Sequence, residues 1–341
     1  MRQHTTRRRV TSLVAGLLGA ALALTGCASG SQAPSTAQPA APSAAADAPV
    51  TLTTAYGDIT VPKKPERIVA LAGRHVELLN LLGEKPVAWA DYLTTAAEVP
   101  EYYPWMKGTY TTDPDPKLFT ADYLPAPEAI AALKPDLILT TIWQTDEPTY
   151  AQLSKIAPTY VGTAKGTNTS WQDDLTSLAK LTRHDTSIVA KTQTQYNSTF
   201  AAAAAKLPAL KGKSFFIAAL GEGDQLWLTE YAAAPLVALG LKPGPGQPTS
   251  GAEAANAPKY TLENADKLTA DVVIVATEHR DPTGAFKAKL QADPRVKALP
   301  AAQNNALIYL DSTQWGAVNG GSAASEEWWL AGILPTLEKA K

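Results

Sequence analysis

Cysteine is almost absent: the chain holds one, Cys27, so it forms no internal disulfide and no cysteine-cluster metal site. Histidine is scarce as well. Of the four, His4 and His184 fall outside any plausible ligand site, which leaves His75 and His279, with Glu278, as a thin set for a bare zinc or manganese ion that takes three or four converging ligands. No basic run follows the first nine residues. Setting aside Arg2, Arg7, Arg8 and Arg9 leaves 26 of the 30 basic side chains against 32 acidic ones, a net of −6. That balance speaks against nucleic-acid binding, which rests on Lys and Arg releasing phosphate counterions. Reactive signatures are missing too: there is no Gly-x-Ser-x-Gly elbow, no His-Glu-x-x-His and no Gly-x-x-x-x-Gly-Lys phosphate loop. Gly221-Glu222-Gly223-Asp224 follows a strand-like run without opening a helix and reads as a turn. Paired carboxylates of a hydrolase stay open at this point, Asp and Glu being plentiful, but no catalytic residue and no resident cofactor is expected.

What is present begins with an address. Residues 2–9 are basic and Val10 to Leu24 are apolar apart from Thr11 and Ser12, a pattern of export signals that is too short for a comfortable bilayer span. The stretch stops at Leu24-Thr25-Gly26-Cys27, which resembles the lipobox of bacterial lipoproteins, where cleavage precedes the cysteine and lipid, palmitate included, is attached at it. Arg7, Arg8 and Arg9 are equally compatible with twin-arginine export. Each buried methylene contributes about 0.8 kcal/mol, so two or more acyl chains hold a soluble body at a membrane. Ala28 to Pro49 is built from Ala, Ser, Pro, Gln, Thr and Gly with the single charge Asp47, too polar and small to offset its ordering entropy. Residues 1–26 thus read as a signal, and 27–49 as a lipidated tether.

From Val50 the chain is patterned. At 341 residues and 45% hydrophobic it has material for two domains of roughly 100 to 200 residues each. Val50 to Thr54 and Asp58 to Val61 flank Gly57 as a hairpin. Apolar runs at Arg67 to Leu71, Pro86 to Ala90, Asp136 to Thr140 and Thr159 to Val161 alternate with helical spacing at Val76 to Leu82, Pro127 to Leu133 and Thr149 to Ile156. The alternation restarts at Ser214 to Leu220, Asp271 to Ala276 and Ala306 to Leu310, interleaved with helices near Ala232 to Leu239, Gly284 to Gln291 and Ser322 to Leu337. The pattern predicts an α/β fold: two lobes, 50–184 and 209–341, each with a mostly parallel central sheet. Between them, Thr186 to Leu207 lacks Gly and Pro and spaces Ile188, Tyr196, Phe200, Ala203 and Leu207 helically. One long helix over 185–208 would join the lobes and let them change their relative angle only slightly.

Both halves repeat a pattern of Glu, four residues, Leu, two residues, Asp, then strand: Glu128, Leu133, Asp136 and Glu263, Leu268, Asp271. Helix-strand packing accounts for the apolar and turn positions. The glutamates, each in a helix's first turn, fit either a favourable dipole interaction or a matched pair of docking carboxylates.

The body resembles the extracytoplasmic substrate-binding proteins of ATP-driven importers for iron-siderophore complexes, haem and vitamin B12. The resemblance is carried by Pro65-Glu66-Arg67-Ile68-Val69-Ala70-Leu71, Leu81-Leu82-Gly83-Glu84-Lys85-Pro86-Val87-Ala88, the run from Pro127 through Leu-Lys-Pro-Asp-Leu-Ile to Leu139, Ile156-Ala157-Pro158-Thr159 and Ala270-Asp271-Val272-Val273-Ile274-Val275. It implies a monomeric lipoprotein with a ligand cleft between the lobes. It also implies a permease with its ATPase as partner, and docking by Glu128 and Glu263 on permease arginines through charge-assisted pairing.

Ligands of open α/β sheets bind beyond the carboxyl ends of the strands. That rule nominates Arg74, His75, Tyr92, Tyr103, Trp105 and Trp143 from the first lobe, and Trp227, Tyr231, Arg280 and Trp315 from the second. Arginines suit the oxygen-rich surface of a ferric siderophore, and aromatic faces suit its organic shell. Core packing and surface ion pairing are the plain alternatives for each of these residues. Trp171, Trp328 and Trp329, at apolar helical positions, are expected in the core. Haem stays open as the cargo, since one or two axial ligands suffice and His75, His279 or a tyrosine can supply one. Cobalamin, or a ligand-sensing receptor on the same scaffold, is the further alternative.

Overall fold

The structure, a computed structural model, describes residues 48–91, 99–164, 169–277 and 281–341. Among the described residues twelve strands fall into three sheets. A hairpin of β1 (Val50–Thr54) and β2 (Gly57–Val61) comes first. The N-terminal lobe is built on β3 (Ile68–Ala70), β4 (Ala88–Trp89), β5 (Leu137–Leu139) and β6 (Thr159–Tyr160), ordered β4-β3-β5-β6 and parallel throughout. In the C-terminal lobe, β7 (Ser214–Leu220), β8 (Leu226–Leu228), β9 (Lys242–Pro243), β10 (Lys259–Tyr260), β11 (Val272–Ala276) and β12 (Leu307–Leu310) form a sheet ordered β10-β8-β7-β11-β12, with β9 also on β7.

The second sheet is mostly parallel as expected, with one reversed strand. Its β7, β9, β11 and β12 are parallel, and β8 runs against them, antiparallel to both β7 and β10. The cause is local: Glu222–Asp224 make one tight 3-10 turn, with Gly223 at φ 66°, so the chain returns directly beside β7 instead of crossing over through a helix.

Period-two alternation divides the residues of β3 between two cores. Val69 and Leu71 pack with Ile130, Ile138 and Leu153, whereas Ile68 and Ala70 join a larger cluster that runs without interruption through Tyr196 and Phe200 into the second sheet. The bridging helix spans Ser187–Ala204, about 27 Å at 1.5 Å per residue, and buries Tyr196, Phe200 and Ala203. It ends before Pro208 because the residue preceding a proline is held out of the helical region, as Leu207 is at φ −116° and ψ 47°. Tyr196 and Phe200 stack with centroids 4.3 Å apart and give the helix a stiff aromatic spine. Among the described residues no helix is long and apolar enough to cross a membrane.

The repeated aspartates have one structural role. Asp136, just before β5, accepts the backbone N–H groups of Glu66 and Arg67 at 2.8 Å each, where the chain enters β3. Asp271, just before β11, accepts the N–H and hydroxyl of Ser214 at 2.8 and 2.7 Å, where the chain enters β7. Each thus clamps the neighbouring parallel strand in register. Two arginines steady the glutamate-bearing turns. Arg67 donates to the carbonyls of Leu133 and Lys134, which end the Glu128 helix, Pro127–Ala132. Arg295 donates to the carbonyls of Leu262 and Glu263. Glu128 and Glu263 themselves are exposed.

Candidate functional site

Helix Gly73–Leu81 starts just beyond the carboxyl end of β3, and its first N–H, on Gly73, is held by the Asp91 carboxylate at 2.9 Å. Arg74 therefore projects from the helix start, where its guanidinium pairs with Asp174 and donates to the carbonyl of Thr169. Asp174 lies in the first turn of helix Trp171–Leu181, capped by Ser170, and its other oxygen accepts the Tyr160 hydroxyl at 2.7 Å. The pair is deep, with side chains 12% and 2% exposed. Removing one partner of such a pair leaves an uncompensated buried charge, typically worth about 3–5 kcal/mol. Arg74 is thus fixed in place, and its charge is matched by the protein itself. His75, 1% exposed, lies behind it with Nε2 3.9 Å from Asp174. Burial, which outweighs the pull of Asp174, lowers the imidazole to about 4, so it is neutral at pH 7.

Two acids unmarked in the sequence, Glu77 buried and Glu326 half-buried, join elements around this station. Glu77, one turn beyond Arg74, accepts the Trp105 indole N–H at 2.7 Å and the hydroxyl of Ser322, the N-cap of the C-terminal helix Ala323–Leu337. Trp105 in turn packs on Trp328 of that helix, ring centroids 5.3 Å apart. Glu326 accepts the Tyr196 hydroxyl of the bridging helix at 2.6 Å. Burial raises both carboxyls to about 7, against the opposing pull of their hydrogen-bond donors and Arg74.

Between the lobes lies a cleft of about 350 Å³, within the roughly 300–1,000 Å³ range of ligand pockets. The first lobe contributes Arg74 and Gln172, the bridging helix Gln193 and Tyr196, and the second lobe Glu230, Tyr231, Asn319 and Glu326. The lining also includes the apolar residues Trp171, Pro235 and Val318. Among the described residues no group of three His, Cys, Asp or Glu is placed to hold a metal ion.

Residues 68–313 match the periplasmic binding protein family. The chain belongs to that family. As a periplasmic binding protein it is 36% identical over 128 residues, 35% of its length, to the probable siderophore-binding lipoprotein YfiY of Bacillus subtilis. It is 30% identical over 194 residues, 55% of its length, to the ferric enterobactin-binding periplasmic protein FepB of Escherichia coli. These matches span 34% and 59% of the two relatives' own lengths. A periplasmic solute binding protein from Mycobacterium smegmatis superposes with a TM-score of 0.69 at 25% identity, covering 86% of this chain and 99% of its own.

In this periplasmic binding protein the nominated residues separate into groups. Arg74 and Tyr231 line the cleft. Trp143 is 59% exposed on the turn after β5, next to Thr140, Thr141 and Ile142, which with Arg74 and His75 enclose a small void. Four others do not line this cleft. His75 follows helical periodicity inward beneath Arg74. Tyr103, 7% exposed, packs edge-on between Tyr102 and Trp105. Trp105 serves Glu77, and Trp315 is 7% exposed on helix Ser312–Asn319, its ring 5.5 Å from Tyr231, which it backs. Trp227 does not line this cleft. It lies on β8 under the Lys259 ammonium, 4.4 Å from the ring, and against Gly221, where a Cβ would meet the indole at 2.5 Å. Trp171 and Trp329 are core, at 3% and 0% exposed, and Trp328 is half-buried. Tyr92, Arg280, His279 and Cys27 lie outside the described residues.

Proposed function

We propose that this chain is the substrate-binding lipoprotein of an ATP-driven importer, capturing a ferric siderophore outside the cytoplasmic membrane and handing it to a permease. The carrying observation is a polar-walled cleft between two α/β lobes, in a chain whose relatives are named for siderophore binding. A lipid on Cys27 anchors the protein and residues 27–49 tether it. The lobes, 50–184 and 209–341, turn slightly about the helix of 185–208. Their shared core through Tyr196 and Phe200 supports a small rather than a large closure. Glu128 and Glu263 dock on permease arginines, a role favoured by their exposure and by the matched aspartate clamps behind them. The protein acts as a monomer, performs no catalytic step and carries no cofactor.

Calorimetric titration of the purified protein against ferric siderophores, haem and cobalamin tests the proposal. One-to-one binding of at least one ferric siderophore at about micromolar affinity or tighter, near −8 kcal/mol, is expected. Haem binding with a new Soret band, or cobalamin binding, with no siderophore bound, would replace it.

A further inference from the structure

We infer that the cleft selects iron chelates of zero or positive net charge, of the tris-hydroxamate kind, and rejects tri-anionic tris-catecholates; this rests on the siderophore-capture proposal above. Three hydroxamates, each giving up one proton, exactly balance a ferric ion, and a free amine on their backbone makes the complex a cation. Three catecholates, each giving up two protons, leave it three negative charges. The two classes therefore differ most in what the cleft walls can sense, which is charge.

The wall charges are unequal. Arg74 is the one cation lining the cleft among the described residues, and Asp174 already balances it. Its Nε is buried without a hydrogen-bond partner, out of reach of a ligand oxygen. Recruiting the guanidinium for an anion would strand Asp174, itself 1% exposed and holding the Tyr160 hydroxyl. Opposite stand two acidic side chains, of which Glu326 is held partly neutral at pH 7 by burial. Glu230 is half-buried and accepts only the neighbouring Thr229 hydroxyl at 3.3 Å, and Glu326 accepts the Tyr196 hydroxyl. Among the described residues neither forms an ion pair. The remaining polar wall groups, Gln172, Gln193 and Asn319, are uncharged and suited to hydroxamate and amide oxygens. Lys165, Glu278 and Arg280 lie outside the described residues.

The test is tryptophan-fluorescence titration of the purified full-length protein, in detergent, with three ferric chelates. These are a linear tris-hydroxamate bearing a free amine, a neutral cyclic tris-hydroxamate, and a tris-catecholate. A wall carboxylate in a partly solvated cleft changes affinity on the order of five- to tenfold per unit of ligand charge. The two hydroxamates are therefore expected to bind at least about a hundredfold more tightly than the tris-catecholate. Glu230→Lys is expected to weaken the cation about tenfold or more and tighten the tris-catecholate by at least as much. Thermal unfolding of the variant is the control for folding. A tris-catecholate bound as tightly as the neutral hydroxamate, or a Glu230→Lys variant that shifts all three chelates alike, would overturn the inference. If no chelate binds while haem or cobalamin does, the capture proposal falls and takes the inference with it, a pattern distinct from inverted charge preference.

Discussion

Between pH 4.5 and pH 8 the stability advantage of the native chain over a Glu77→Gln variant is expected to fall by about 3 kcal/mol. Glu77 is 7% exposed, and burial raises its carboxyl from 4.5 to about 7. The folded state therefore binds a proton in a range where the unfolded state has released it. The stabilisation is fully present below pH 4.5 and is lost as pH rises through about 7, at about 1.4 kcal/mol per pH unit. Glutamine keeps the shape, accepts from Trp105 and presents an amide to Ser322, but does not titrate. His75 has the opposite slope. Its ring is lowered from 6.5 to about 4, so its contribution is complete above pH 6.5 and disappears as pH falls through 4. Because His75 and Glu326 are common to both chains, they cancel in the difference. Urea unfolding of the pair at several pH values measures it, and a difference that does not change with pH would refute the protonated state of Glu77.

The second large effect concerns transport. Replacing Glu128 and Glu263 together by alanine is expected to abolish siderophore-dependent iron uptake by cells while ligand affinity stays within about twofold, since neither residue lines the cleft. On the proposed docking by two carboxylate-arginine contacts, single replacements should retain partial uptake, because one contact alone would still position half of the interface. Both side chains are exposed, so a surface change of this kind costs no more than about 0.5 kcal/mol of stability. Normal uptake by the double variant, or a matching loss of ligand affinity, would remove these residues from the docking role.

Much of the fold was legible because short apolar runs and helical spacings alternate along the chain. Ser214 to Leu220 is a strand over its full predicted length, and the bridging helix differs from its predicted span by a few residues at its ends. Helix Ser312–Asn319 was not legible, since Ser, Thr, Gln, Gly and Asn around Trp315 leave no apolar stripe to detect. The antiparallel return of β8 hid in a turn whose geometry, not composition, decides the strand direction.

The site was legible in position more than in chemistry. The rule that ligands bind beyond strand carboxyl ends located Arg74 and Tyr231. It could not show that Arg74 is paired, because Asp174 lies a hundred residues away and nothing local links them. Glu77 and Glu326 were hidden for the same reason. Their partners Ser322 and Tyr196 are 245 and 130 positions distant, and a carboxylate on an amphipathic helix ordinarily signals a solvated face. The aromatics illustrate the converse: Trp105 and Trp315 resemble ligand platforms in sequence, and in the fold they contact Glu77 and Tyr231.

Filling the cleft tests directly that cargo is held there. Ala234 lines it and is exposed, at the first turn of helix Ala233–Ala238, so Ala234→Trp inserts an indole into the space without disturbing the core. Calorimetric titration of that variant with a ferric siderophore that the native chain binds is expected to show affinity lowered by about a hundredfold or more, with its thermal unfolding unchanged. Native-like affinity with the cleft so plugged would place the cargo elsewhere on the molecule.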